Sequence, residues 1–187
     1  MLKMKQIFIS FVLGAILSIA AHAEYMNKNA MLYKDQNLKE SLGKIYVASQ
    51  VKVLSQEGNV SEVEFIGFAP EDSPIVYEKA GVLVLGYEGS DFADYKVIGK
   101  QVDEYDTEWF EVVIKGYIST DLLTQDKSKI LQDGKTLFEA RCGACHDIHH
   151  KEEFVPNVWP SILENMAPQA GLSEDEKMLI EKYLQEQ

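Results

Sequence analysis

Arg141-Cys142-Gly143-Ala144-Cys145-His146 constrains this chain more than any other stretch: it holds both cysteines of the 187 residues and sets a histidine directly after the second. The C-x-x-C-H pattern marks covalent attachment of a c-type haem. Two thiols three positions apart on a helical turn can each form a thioether with one vinyl group. The histidine that follows then lies under the iron as an axial ligand. Other uses of a cysteine pair fit less well. A thioredoxin-like C-x-x-C asks for no histidine and sits near a βαβ pattern, which is missing here. A structural zinc needs about four ligands, and no second cysteine pair supplies them. A plain disulfide leaves His146 unexplained. The expected cofactor is one haem c, covalently attached through Cys142 and Cys145 and ligated by His146.

The start of the chain reads as an export leader. Lys3 and Lys5 form a charged n-region, Ile7 to Ala20 is apolar, and Ala21-His22-Ala23 is an A-x-A cleavage site. A retained anchor is the competing reading, but the apolar run is shorter than the ~20 residues a spanning helix needs. The expectation is a signal peptide over residues 1–23, a mature chain from Glu24, a periplasmic location and no membrane span after cleavage. Removing residues 1–23 takes away two lysines and no acid, so the net charge moves from −12 to −14. So acidic a chain suits basic protein surfaces and is a poor partner for nucleic acid or anionic lipid.

Periodicity divides the rest into 24–125 and 126–187. Glu24 to Leu42 is polar and weakly patterned, a lead-in with at most one helical turn. Ile45, Val47, Val51 and Val53 alternate with polar neighbours. Gln56-Glu57-Gly58-Asn59 makes a turn, and Val63 and Phe65 resume the alternation. Val82 to Leu85 is a continuous apolar run, expected as a more deeply buried strand. The pair of strands from Val51 to Phe68 is echoed from Tyr95 to Tyr117, each second strand ending in Gly-aromatic. Small SH3-like barrels read in this way. Trp109, Tyr87, Phe92 and Tyr95 are expected as core side chains, with an aromatic binding groove as the competing reading. Asp103 to Glu108 is expected as a solvated turn, with a charged docking edge as its rival.

From Asp126 the period becomes helical. Gly134, Leu137, Phe138, Arg141 and Cys142 share one face of a helix running into the haem motif. Ser173-Glu174-Asp175-Glu176 is a capping box for a last helix with Met178, Leu179, Ile180, Tyr183 and Leu184 as its apolar residues. Both stretches resemble the first and last helices of class I cytochromes c, which cross at a small residue. The second axial ligand is methionine, histidine or nothing. Met166 is the first choice, in a segment read as irregular and closed by Pro168. Met178 lies on the last helix, where methionine is more often filler. His149 and His150 follow His146 too closely to reach the far face easily, and stand as alternatives beside an open position.

Cys142 to His149, with Phe154, Asn157, Trp159-Pro160 and Leu163 to Met166, resembles the C-terminal monohaem domain of the TorC-type pentahaem cytochromes of trimethylamine-N-oxide respiration. Gly43 to Val47, Val51 to Leu54 and Val112 to Ile118 resemble the SH3-like segment before it. The resemblance implies an α+β protein of two domains: an all-β SH3-like barrel region over 24–125, then a small all-α class I-like cytochrome c domain over 126–187. It implies an electron carrier and not an enzyme, with a periplasmic molybdenum reductase as acceptor and a membrane quinol dehydrogenase or multihaem cytochrome as donor. That family also has an N-terminal tetrahaem part, which this sequence with its single C-x-x-C-H lacks, so a stand-alone carrier is expected. A haem-based redox or ligand sensor, or a generic cytochrome feeding another terminal reductase, are the alternatives. In the carrier reading, the β region positions a partner and residues 126–187 hold the haem site unaided.

Overall fold

The computed structural model describes residues 22–90 and 95–186. Ten strands form one antiparallel sheet: β1 (His22–Met26), β2 (Ala30–Tyr33), β3 (Ser41–Ile45), β4 (Gln50–Glu57), β5 (Val60–Ala69), β6 (Ile75–Lys79), β7 (Val82–Gly89), β8 (Lys96–Val102), β9 (Glu108–Ser119) and β10 (Leu123–Thr124). Three helices follow: α1 (Lys127–Cys142), α2 (Trp159–Met166) and α3 (Glu174–Gln185). The strand order is β10-β1-β4-β5-β6-β7-β3-β2-β9-β8, and an added β5–β9 pairing closes β5, β6, β7, β3, β2 and β9 into a ring. Long strands make that closure possible. β5 pairs with β9 along its whole length, from Val60↔Ser119 to Ala69↔Phe110, while β4 and β6 take its other side.

Period-two alternation turns Val63, Phe65 and Ala69 of β5, and Val112, Ile114 and Ile118 of β9, into one buried cluster with Met26, Leu32, Ile45 and Tyr87. Each such large side chain contributes roughly 1.5–3 kcal/mol by leaving water. The hairpins β4–β5 and β8–β9 are the two copies of the repeated sequence pattern, and their long second strands lie side by side. Trp109 and Tyr87 are core residues. Tyr95 packs against that core and donates its hydroxyl to the Ser73 carbonyl at 3.0 Å. Phe92 lies outside the described residues. Asp103 caps the β8–β9 turn, accepting from the backbone of Tyr105 and Thr107 and from Trp109 Nε1 at 2.8 Å.

The expected α+β, two-domain fold class, with an all-α cytochrome c domain behind an SH3-like barrel, is corrected by this architecture. The molecule is chiefly one ten-stranded sheet, and its three short helices are laid against it. The physical reason lies in how the helices spend their apolar residues. Ile130 of α1 and Met178 of α3 pack on Tyr46, Val47 and Ala48, in the segment leaving β3, while Phe138, Trp159, Leu163, Ile180 and Leu184 form a smaller cluster among the helices, so only part of their apolar surface is buried helix on helix. The supposed lead-in is also strand: β1, β2 and the start of β3 lie within it. β1 runs through the expected cleavage point, with Ala23 paired to Lys52 and Glu24 to Val51. Residues 1–21 of the expected leader lie outside the described residues. The run Val82 to Leu85 is less buried than its composition suggests, since Leu83 is largely exposed and only Val84 is buried.

Candidate haem cleft

Asp126 caps α1 by accepting from Lys129 N–H at 2.9 Å, and the helix carries Ile130, Gly134 and Phe138 on its buried face before ending at Cys142. Gly134 is where α1 meets α3. A Cβ there would stand 2.7 Å from the Leu179 carbonyl oxygen and 3.0 Å from Tyr183 Cβ, so only glycine permits this approach. The capping box forms as written: Ser173 Oγ accepts from Glu176 N–H at 3.2 Å, and Glu176 Oε2 accepts from Ser173 N–H at 2.9 Å. That backbone bond, with the Arg141 guanidinium 2.8 Å from Oε1, holds the Glu176 carboxyl below its ordinary range. A salt bridge from the haem-motif helix thus locks the start of α3.

Between α1 and α2 lies an apolar cleft enclosing about 610 Å³, including space continuous with solvent. Phe138, Ile148, Trp159, Ile162 and Leu163 wall it, and Cys142, Cys145, His146 and Met166 all line it. Phe138, Trp159 and Phe154 stack edge to face, with centroids 6.2 and 5.1 Å apart, which stiffens the wall. Both thiols are free of a disulfide, Cys142 half-buried and Cys145 exposed. Burial, and then the neighbouring Cys145, push the Cys142 thiol up, away from the low range of reactive redox cysteines. His146 Nδ1–H donates to the Asp147 carbonyl at 2.7 Å. That bond fixes the tautomer and leaves Nε2 with its lone pair for a metal.

Met166 was expected in an irregular segment; it is the last residue of α2 and is 38% exposed. The missed helix has a legible start, since Pro160 occupies its first turn and Trp159 and Leu163 fall four apart on its buried face. Met178 is in the helix–sheet cluster and does not line the cleft. His149 does line it, and its Nδ1 lies 3.0 Å from Glu153 Oε1, whereas His150 is exposed and is not among the lining residues. Among the described residues no group of three or more His, Cys, Asp or Glu is arranged to hold a bare metal ion. The donor set present is two thiols, an imidazole with a free Nε2 and a thioether in an apolar wall, and it fits a haem c.

The cleft brings together the thiols, imidazole and thioether that a haem c would use, and comparison with known proteins finds cytochrome c-type relatives. The relatives are the TorC and TorY cytochrome c-type proteins. Cytochrome c-type protein TorC of Escherichia coli (strain K12) is 24% identical over 159 residues, 82% of this chain and 41% of that protein. Cytochrome c-type protein TorY of Escherichia coli O157:H7 is 29% identical over 85 residues, 46% of this chain and 23% of that protein. The TorY protein of Haemophilus influenzae is 23% identical over 114 residues. The chain therefore spans less than half the length of these relatives. No family model and no solved structure matches it.

Proposed function

We propose that this chain is a periplasmic cytochrome carrying one haem c. In this reading it passes electrons to a periplasmic molybdenum reductase of N-oxides or S-oxides, such as trimethylamine N-oxide or dimethyl sulfoxide. A membrane quinol dehydrogenase or multihaem cytochrome supplies them. The observation that carries the proposal is the convergence of Cys142, Cys145, His146 and Met166 on one apolar cleft. Bound there, the haem supplies a one-electron ferric/ferrous couple. Cys142 and Cys145 anchor it through their sulfurs, His146 offers Nε2, and Met166 offers its thioether from the end of α2. Phe138, Trp159 and Leu163 exclude water, and that low-dielectric wall disfavours the more highly charged oxidised site. No side chain lining the cleft is needed for chemistry on a substrate. Among the described residues no helix is long and apolar enough to cross a membrane.

Mass spectrometry of the exported protein is expected to give a chain starting at Glu24 plus one haem, with no free thiol. A strain lacking the protein is expected to lose reduction of trimethylamine N-oxide or dimethyl sulfoxide and to keep oxygen respiration. Unimpaired reduction of both oxides would remove the partner assignment. The exposure of Met166 favours one second reading, a ligand sensor in which an incoming gas displaces the thioether. Carbon monoxide binding to the reduced protein within milliseconds would support it.

A further inference from the structure

The segment leading from the C-x-x-C-H motif to Met166 is fastened to the sheet as well as to the helices. Asn157 sits in the short 3-10 turn Pro156–Val158, just before α2. Its Nδ2 donates to the Gly81 carbonyl at 2.8 Å, and its Oδ1 accepts from Leu83 N–H at 2.7 Å. Both groups belong to the tip of the β6–β7 hairpin, where Gly81 turns with φ +74°. Gln185, 3% exposed at the end of α3, donates to the Leu83 carbonyl at 3.1 Å and the Pro156 carbonyl at 3.2 Å. One amide thereby joins hairpin, turn and terminal helix. Almost a turn earlier Lys182, also 3% exposed, donates to Glu78 of β6 and, at 3.3 Å, to Ser49 Oγ.

We infer that the β6–β7 hairpin braces the cofactor cleft from outside, and that Asn157 is the positioning residue through which it sets α2, and so Met166, in the cleft that His146 also lines. The inference rests on the haem-carrier reading above. A helix is a stiff rod, so an eight-residue α2 held just before its first turn delivers its last residue to a fixed place. In the carrier reading, a competitor for the position Met166 would hold is resisted more strongly the more firmly that rod is placed. The population with Met166 withdrawn, and with it the apparent affinity for the competitor, is therefore set in part by the Asn157 clamp.

The test is imidazole titration of the full-length ferric holoprotein, read by loss of the near-infrared sulfur-to-iron band. Asn157→Ala removes two hydrogen bonds and is expected to tighten apparent imidazole binding about ten-fold. Asn157→Asp keeps the acceptor for Leu83 N–H and should fall between Asn157→Ala and wild type; it is read alone if Asn157→Ala does not melt cooperatively. Asn59→Ala, which loses a hydrogen bond to Ser119 Oγ elsewhere on the sheet, should match wild type. Haem per chain, measured by mass, separates the two claims. A haem-loaded Asn157→Ala protein with wild-type imidazole affinity and band overturns the clamp alone. A wild-type exported chain without covalent haem overturns the carrier reading and the clamp with it.

Discussion

Met166 and Met178 are chemically identical and sit in unlike surroundings. Met166→Ala is expected to abolish the near-infrared band and lower the midpoint potential, because losing a thioether favours ferric iron. Met178→Ala should keep the band and cost about 2 kcal/mol in denaturant unfolding, since it opens a hole between α3 and the sheet. The reverse pattern would move the ligand to Met178. Glu181 is 5% exposed; burial raises its carboxyl, with Glu164 and Glu174 adding to the rise while Lys177 and Lys182 oppose it. A raised acid favours the folded state at low pH and loses that contribution as pH climbs past the ordinary value of 4.5. Glu181→Gln should therefore raise the melting temperature at pH 7, with the gain shrinking toward pH 4; an equal gain at both would exclude the ionisation. Cys142, Cys145 and His146 were legible as a group because their spacing in one short motif brings them to a single cleft. Glu181, Lys182 and Gln185 were not, because polar residues on a terminal helix read as solvated until a sheet is seen to cover them.

Among elements, the crossing of α1 and α3 was readable from Gly134 and the capping box, and it makes a quantitative test. Alanine at position 134 gains up to about 1 kcal/mol of helix propensity. Its Cβ, however, meets backbone at 2.7 Å, and overpacking costs about 1–3 kcal/mol. Gly134→Ala is expected to lower the melting temperature; an increase would mean that the helices part more easily than this packing implies. The long hairpins were readable because β4, β5 and β9 have enough residues for alternation to stand out. β2 has four residues and β10 two, too few for any pattern, and β1 finds its partners far along the chain. α2 is hidden for a different reason: two prolines bracket it, and Pro168 signals a broken helix while Pro160, in the first turn, starts one.

At the scale of the molecule, the helices rest part of their apolar surface on the sheet, Ile130 and Met178 meeting Tyr46, Val47 and Ala48, and keep the rest in a cluster among themselves. A chain lacking Glu24 to Gln125 exposes Ile130 and Met178 and strands Lys182 without Glu78. It is expected to melt well below the full chain, with only the cluster around Phe138, Trp159 and Leu184 left to hold it; an unchanged melting temperature would show that the sheet contributes nothing to the helices. The acidity of the whole chain predicts that electron transfer to a basic acceptor slows as salt rises from 0.01 to 0.15 M, a change that salt-independent rates would refute. The pairing of β1 with β10, Tyr25 with Thr124 and Met26 with Leu123, also orders events in time. Contacts so distant in sequence form slowly. The edge they complete ends three residues before α1 begins. If α1 docks only once that edge is complete, a change that slows the β1–β10 closure is expected to lengthen the interval in which Cys142 and Cys145 remain within reach of a cofactor.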